Sequence, residues 1–293
     1  MQFSTLFEQI VNGLQAGSIY ALVALGYSMV YGIIMLLNFA HGDIIMVGAY
    51  VVYYALASGS LPPLAAILLA VVASTLLGVI VEKVAYTPLR SAPRLSLLIT
   101  AIGVSYLLEN GAQLLFGADK KAVPTIISGS FKLGPATVSY AALVTIVISV
   151  IVMAILTFLV NKTKMGKAMR AVSEDMGAAQ LMGIGLNRTI SFTFAIGSAL
   201  AGIGSAFYLC AYPQTTPTMG SMLGIKAFIA AVLGGIGSIP GAMLGGFIIG
   251  LLEALVSAVH LSMWKDAVVF LILIIVLLVK PTGIMGHKTQ EKV

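Results

Sequence analysis

The sequence predicts an all-α polytopic membrane protein with about eight transmembrane helices plus short re-entrant or broken segments. Of its 293 residues, 59% are hydrophobic and only 9% are charged, whereas a soluble domain carries about 25% charged residues. Several apolar runs reach the ~20 residues that a helical membrane span needs. Those runs are continuous and lack the period-two alternation of a transmembrane β-barrel. We therefore expect a single helical transmembrane domain over residues 1–293.

The apolar runs place the spans in order along the chain. The first, 8–36, is long for one crossing, and we expect it to contain a crossing plus a re-entrant or broken segment. The later runs lie at 39–57, 63–86, 96–116, 139–160, 189–212, 238–259 and 266–279, with a shorter apolar piece at 223–236. The single cysteine, Cys210, excludes an intrachain disulfide.

The basic residues indicate which loops face the cytoplasm. Segments 87–95, 161–188 and 280–293 hold ten of the 16 Lys and Arg residues. Cytoplasmic loops of membrane proteins are enriched in Lys and Arg, so we expect these three segments inside and the loops 117–138 and 213–222 outside. The N-terminus then falls outside if the first run crosses once. The net charge of +6 therefore follows membrane topology and does not indicate nucleic-acid binding.

A first polar interruption lies between the first two apolar runs. It contains Asn38, His41, Gly42 and Asp43, and polar side chains at membrane depth are costly and commonly functional. Two interpretations stay open, a buried network that stabilises a broken helix and contact with a transported substrate. His41 and Asp43 would point about 200° apart on a helix. With three histidines and one cysteine in the chain, we expect no metal site.

A second interruption, "VLGGIGSIPGAMLGG" (232–246), lies near the other end of the chain. Glycine and proline weaken a helix, and non-helical backbone at membrane depth is tolerated only inside protein or beside a water-filled cavity. Broken helices of this kind line transport pathways. The candidate residues here are Gly235, Gly237, Ser238 and Pro240. The two interruptions form a loose pair without a clear sequence repeat.

Two further acidic residues lie within spans. Glu253 shares a helical face with Gly250 and Ser257, and this face lines either a helix contact or a water-filled path. Glu109 shares a face with Ser105 and is close enough to the end of its span to reach the outer interface. We treat both carboxylates as candidate pathway residues.

Four other polar residues have simpler interpretations. Lys226 follows an outer loop, and we expect its ammonium group to extend to the interface. Glu82, Lys83 and Tyr86 lie near the inner end of their span, and we expect them to anchor that end at the membrane interface.

The long basic loop contains an amphipathic pattern. Apolar residues recur at helical spacing over 167–182, and Arg170 and Glu174 are spaced as an i,i+4 pair on the polar side. The apolar positions are Met169, Val172, Met176, Ala179 and Met182. Methionine-rich surfaces adapt to partner grooves. The pattern fits either a helix on the lipid headgroups or one that docks into a groove of a cytoplasmic protein.

The chain lacks the motifs of an energy-coupling or catalytic domain. The only Gly-Lys pair, Gly166-Lys167, has Asn161 where a Walker A motif needs its first glycine. No H-E-x-x-H or G-x-S-x-G motif occurs. We therefore predict no catalytic residue and no bound cofactor, so uphill transport would need a partner or an ion gradient.

Several blocks together resemble the LivH-type permease of high-affinity branched-chain amino acid ABC importers. The resemblance runs nearly end to end. It rests on "GSIYALVALGYSMVYGIIMLLNFAHGDIIMVGAY", "VEKVAYTPLRSAPRL", "TKMGKAMRAVSEDMGAAQLMGI", "KAFIAAVLGGIGSIPGAMLGGFIIGLLEAL" and "KPTGIMG". Two positions differ from the family member that we compare. It has an acidic side chain that differs by one methylene group where Asp43 lies, and an arginine where Lys167 lies.

The resemblance implies an ABC importer permease fold and a set of partners. These are a second homologous permease, two cytoplasmic ATPases that use ATP, and an extracytoplasmic protein that captures leucine, isoleucine or valine. The residues implied to couple to the ATPases are Lys167, Met169, Arg170, Val172, Glu174, Asp175, Met176, Gly177 and Met182, within loop 161–188. The implied location is the bacterial inner membrane. The alternatives are an ATPase-independent transporter or channel, and a family permease for other neutral amino acids, amides or urea.

Overall fold

The computed structural model describes residues 3–35, 38–59, 61–90, 92–134 and 136–286, and these are mainly helical. The helices are α1 (Phe3–Ile34), α2 (His41–Ala57), α3 (Pro63–Val81), α4 (Arg94–Phe116), α5 (Tyr140–Lys162), α6 (Lys164–Glu174), α7 (Met176–Leu181), α8 (Leu186–Ala211), α9 (Met219–Gly234), α10 (Ile239–Ala258) and α11 (Lys265–Val279). A π-helical turn (Glu82–Tyr86) and a 3-10 turn (Thr87–Leu89) extend α3. A second 3-10 turn (Ser262–Trp264) precedes α11.

Within this part of the chain, seven helices are long and apolar enough to cross a membrane, and α2 and α9 are shorter apolar helices. The predicted helical membrane fold is confirmed. The first apolar run is one continuous helix as far as Ile34, and the break follows it. The end of the predicted span, at residue 36, lies outside the described residues.

Local sequence explains where several helices begin. Side chains of Ser139, Thr163, Asp175 and Ser238 each accept a hydrogen bond from a backbone N–H in the first turn of α5, α6, α7 and α10. These groups satisfy N–H donors that a helix start leaves free. Proline is the first residue of α3 and the second of α10, where its missing N–H costs nothing.

Four short strands lie in the two loops predicted to share the outer side. β1 (Lys121–Ala122) pairs antiparallel with β4 (Gln214–Thr215), and β2 (Ser130–Leu133) pairs antiparallel with β3 (Ala136–Ser139). The β1–β4 pair joins the 117–138 loop to the 213–222 loop. Both loops therefore lie on one side of the protein, as the charge distribution predicts.

Helix α1 forms the centre of the helix bundle. It packs against α5, α6, α8, α9 and α10, and its residues from Ile19 to Leu25 are almost fully buried. The outer helices α4, α5 and α11 bury little of their apolar surface within the chain. In a membrane protein this exposed apolar surface faces lipid or another subunit.

Candidate functional site

The first interruption returns the chain into the body of the protein. His41, the first residue of α2, packs against Gly26 of α1, where an added Cβ would lie 2.5 Å from the His41 ring. Gly26 is eight residues before the end of α1, a rise of about 12 Å along a helix. Helix α2 therefore begins beside the middle of α1 and inside the bundle.

The polar residues of this interruption contact several helices. The Asn38 Oδ1 atom accepts a 2.8 Å hydrogen bond from the Tyr86 hydroxyl. The His41 ring packs edge-on against the Tyr27 ring, with centroids 4.7 Å apart. Asp43 has Ser105 and Glu109 of α4 as neighbours and is also an electrostatic neighbour of Tyr27. His41 and Asp43 thus differ in most of their contacts, as their predicted divergence requires, and contact of these residues with a substrate stays a prediction.

Gly42 allows the two short apolar helices to cross closely. A Cβ atom added at Gly42 would overlap the Gly220 carbonyl group of α9, and one added at Gly220 would lie 3.1 Å from Asp43 Cα. Side chains on either helix would separate them. The contact places Asp43 at a junction of α2, α4 and α9.

The second interruption is the turn between α9 and α10. Gly235 and Gly237 have φ values of 108° and 89°, in the region that favours glycine, and Ser238 then caps α10. A Cβ added at Gly32 of α1 would lie 3.4 Å from Gly237 Cα. Both interruptions thus flank the second half of α1, as their predicted pairing requires.

The chain segment after α11 closes this turn. The backbone N–H groups of Ile284 and Met285 donate to the carbonyl oxygens of Leu233 and Gly234, each at 2.9 Å. Those carbonyls belong to the last turn of α9, where the helix has no further N–H groups to donate to them. Lys288 and Lys292 of the predicted basic tail lie outside the described residues.

Glu253 belongs to an ionic network between helices. Its carboxylate accepts a 2.8 Å hydrogen bond from Tyr20 of α1 and lies 2.7 Å from the Lys226 ammonium of α9. Lys226 also lies 2.7 Å from Asp266 of α11. The face of α10 that carries Glu253 thus contacts α1 and α9, and its predicted role beside the pathway stays a prediction. The ammonium group of Lys226 is held by two carboxylates, one of them the half-exposed Asp266, and its extension to the interface also stays a prediction.

The inner end of α3 holds a second network. Glu82 is fully buried and pairs with Arg90, and it accepts hydrogen bonds from Thr87 at 2.8 Å and from Ser191 of α8 at 2.6 Å. Tyr86 is 2% exposed. The prediction that Glu82 and Tyr86 anchor the span at the membrane interface is therefore wrong, and these residues instead join α3 to α8 and to Asn38.

The amphipathic segment predicted over 167–182 is two helices and not one. Asp175 ends α6, and its side chain accepts a 2.9 Å hydrogen bond from the Ala178 N–H to begin α7. Arg170 donates to the Val160 carbonyl of α5. The three ion pairs within the described ranges do not include the predicted Arg170–Glu174 pair.

The bend also divides the apolar stripe. Met169 and Val172 are buried against the rest of this chain, whereas Met176 is 38% exposed and Met182 is 82% exposed. Leu181, which the helical pattern does not select, is 91% exposed. The exposed apolar tip consists of Met176, Leu181 and Met182, and it leaves apolar surface for a partner. Lys167 and Gly177 are also exposed.

A cavity of about 390 Å³ connects this segment with the second interruption. Its lining includes Gly32 of α1, Met169 and Arg170 of α6, and Gly237 of the α9–α10 turn. Helix α6 therefore lies close to the α9–α10 turn and to the second half of α1. Over the described ranges, no group of three or more His, Cys, Asp or Glu residues could hold a metal ion.

Several contacts could not be predicted from local sequence. Tyr20 and Glu253 are separated by 233 positions, and Ser191 and Glu82 by 109. Neither pair has a spacing signal, because it depends on helix packing. The bend at Asp175 does have one, since an aspartate before a new helical turn is a common N-cap.

Comparison with known proteins gives a consistent family. The profile of the family described as "Branched-chain amino acid transport system / permease component" matches residues 9–277. The BraD permease protein of the high-affinity branched-chain amino acid transport system of Pseudomonas aeruginosa is 44% identical, with 98% of this chain and 97% of BraD covered. LivH of Escherichia coli K12, from the system of the same name, is 43% identical, with 100% and 99% covered.

Among solved structures, PsaBC from Streptococcus pneumoniae in complex with a Fab has a TM-score of 0.45 and 15% identity. The comparison covers 95% of this chain and 91% of that chain. This similarity is too distant to support an argument about either fold or function.

Proposed function

The chain belongs to the family of branched-chain amino acid transport permeases, and we propose that it is the membrane-spanning subunit through which an ABC importer moves leucine, isoleucine and valine into the cytoplasm. The observation that carries this proposal is the 43–44% identity to LivH and BraD over nearly the whole chain. The chain is a multi-pass inner-membrane protein. Both interruptions and the exposed apolar tip lie within the matched range.

The proposal assigns the energy source to partners. A second homologous permease completes the pathway, two cytoplasmic ATP-binding subunits use ATP, and an extracytoplasmic protein delivers the amino acid. The lack of a Walker A motif in the sequence supports this division. The two permease halves then alternate access by rocking against each other.

The exposed apolar tip is the surface we assign to an ATP-binding subunit. Apolar side chains exposed to this degree, at the end of a helix with basic neighbours, are suited to a groove in a partner. Buried Met169 and Val172 instead hold α6 on the body of this chain, and so transmit a push on the tip to the cavity beside α1. The coupling residues therefore divide into a docking group and a transmitting group.

Purification from native membrane tests the proposed assembly. We expect ATP-binding subunits and a second permease to co-purify with the chain, and the reconstituted complex to import leucine only with ATP. Leucine uptake by the purified chain alone, driven by an ion gradient, would overturn the proposal in favour of an ATPase-independent transporter.

A charged substitution tests the docking surface. We expect Met182→Asp to reduce co-purification of the ATP-binding subunits at least about tenfold, because it buries a carboxylate in an apolar contact. Met263→Asp is the matched control, since Met263 is 97% exposed in the turn before α11, on the opposite side of the predicted topology. Equal subunit content in both variants would contradict the docking assignment.

A further inference from the structure

A buried carboxylate without a counter-charge lies at the junction of α2, α4 and α9. Asp43 is 1% exposed. Within the described part of the chain the Ser105 hydroxyl of α4 is its neighbouring donor, but neither carboxylate oxygen has a hydrogen-bond partner of normal geometry. Burying a carboxylate without a cation or donors is costly. Something outside this chain is therefore expected to compensate its charge.

Among the described residues, the electrostatic neighbours of Asp43 are the carboxylate of Glu109 and the phenol of Tyr27, and neither is a cation. Glu109 of α4 is an electrostatic neighbour of Asp43, and its Oε2 atom accepts a 3.2 Å hydrogen bond from Ser221 of α9. Lys226 of α9 is held by Glu253 and Asp266. Two acidic side chains thus lie close together without a nearby positive charge among the described residues, so a cationic ligand would be stabilised between them.

An apolar cavity lies one helical turn further along the same groove. It lies between α2, α3 and α4, and its lining includes Val47, Tyr50 and Phe116. Val47 is four residues after Asp43, so both lie on one face of α2. Leu69 of α3 also lines the cavity and is 46% exposed, so the cavity opens to the protein surface. Its apolar walls suit a small aliphatic group.

Tyr50 adds a polar group to this apolar cavity. Its hydroxyl is buried and, over the described ranges, has no hydrogen-bond partner. A buried hydroxyl normally finds a partner, and this one remains available to donate to a ligand. The groove thus presents carboxylates at one end, and apolar walls with a donor at the other.

We propose that the groove between α2 and α4 is a binding site for an aliphatic primary ammonium compound, with the ammonium group at Asp43 and Glu109 and the aliphatic chain in the cavity lined by Val47, Tyr50 and Phe116. A branched-chain amino acid has this combination of groups, so the identity of the ligand rests on the proposed function. A metal ion fits less well, because the described residues offer no group of three potential ligands.

The position of α4 gives a ligand access to the site. Glu109 is only partly buried, and Leu107 and Leu114 on the same helix are 71% and 88% exposed. An added Cβ at Gly103 or Gly111 of α4 would meet no atom within 4 Å. Helix α4 thus lies at the periphery of the described helices, and the groove beside it is outside the α1–α10 core.

Ligand-induced thermal stabilisation tests the site. The permease and ATPase subunits are purified as a complex without the extracytoplasmic binding protein, so that any bound ligand is held in the membrane subunits. The probes are leucine, 3-methylbutylamine, which keeps the ammonium group, and 4-methylpentanoate, which lacks it. We expect the first two to raise the melting temperature and the third to leave it unchanged.

Matched variants assign that effect to the groove. We expect Asp43→Asn to weaken leucine binding at least about thirtyfold, Val47→Phe to weaken it by filling the cavity, and Asp43→Glu to retain it. Asp119→Asn makes the same chemical change in an exposed loop and should bind like the wild type. Without ligand, Asp43→Asn should melt at the same or a higher temperature, because it removes an uncompensated buried charge.

The outcomes separate the site from the proposed function. No stabilisation by any probe, equal stabilisation in Asp43→Asn, or a lower melting temperature of the unliganded Asp43→Asn complex would overturn the site. Normal ATP-driven leucine import with no binding in the groove would overturn the site alone. A third outcome is that the wild-type complex binds 3-methylbutylamine, the Asp43→Asn complex does not, and neither imports leucine. This outcome would support the site and refute the proposed function.

Discussion

Individual glycines set the separation of the two helices at the centre of this protein. Gly246 of α10 lies so close to α1 that an added Cβ would be 2.5 Å from the Ala21 nitrogen and 2.6 Å from its Cα. Those are backbone atoms, so they cannot move aside as a side-chain end would. Small residues at such positions let transmembrane helices pack through their backbones.

We therefore predict that Gly246→Ala destabilises the protein by about 1–3 kcal/mol, the usual cost of overpacking. The measurement is the melting temperature of the purified protein in detergent. Gly103→Ala is the control, because a Cβ there meets no atom within 4 Å, and its effect should stay within about 0.5 kcal/mol. Equal effects of both changes would contradict the packing argument.

At this scale, the sequence could show which residue types are unusual but not what they contact. The polar residues Asn38 and Glu253 stand out in apolar runs, yet their partners Tyr86 and Tyr20 lie 48 and 233 positions away. Lys226 illustrates the same limit. Its predicted extension to the interface follows from the helix alone, whereas its ion pairs with Glu253 and Asp266 depend on the packing of three helices.

Among the structural elements, the irregular segment after α11 packs against the end of α9. Residues Gly283–Gly286 cover the end of α9, and a Cβ on Gly283 would lie 2.5 Å from the Gly235 nitrogen. The φ of Gly283 is +76°, which side chains disfavour. This segment, which we call the C-terminal clasp, therefore ties α11 to the α9–α10 turn.

Two truncations test the clasp. Ending the chain after Thr282 removes the bonds to Leu233 and Gly234, and we expect a loss of about 2–3 kcal/mol, since each hydrogen bond contributes about 1 kcal/mol and buried carbonyls lose their partners. Ending it after Gly286 keeps the clasp and should change little. The measurement is thermal stability together with hydrogen exchange at residues 233–241. Indistinguishable truncations would show that the clasp does not stabilise the turn.

The long apolar helices could be predicted from the sequence, whereas the breaks between helices depend on backbone geometry and were harder to predict. Long apolar helices such as α5 and α8 follow from composition alone. The division of segment 167–182 into two helices does not, because Met169 to Met182 keep a helical spacing across the break at Asp175. The side-chain cap there stabilises a new helix start and turns Met182 outward.

For the whole molecule, one hydrogen bond relates the N-terminus to the predicted topology. Glu8 accepts a 2.7 Å hydrogen bond from the Thr137 N–H, which places the start of α1 beside the 117–138 loop. The charge distribution predicts that loop outside. Seven long and two short apolar helices among the described residues give an odd number of passages, so the two ends of the chain should lie on opposite sides.

Thiol labelling in intact cells tests this topology as a whole. In a Cys210→Ala background, we expect a membrane-impermeant maleimide to label Thr5→Cys and Asp119→Cys directly, because both side chains are exposed on the side of the 117–138 loop. Met182→Cys and Lys280→Cys should react only after the membrane is permeabilised, since they lie with the basic cytoplasmic segments. If Thr5→Cys, like Met182→Cys, is labelled only after the membrane is permeabilised, then the contact between Glu8 and Thr137 does not exist in the membrane. The central position of α1, on which both interruptions and the groove depend, would then need a different path for the first helix.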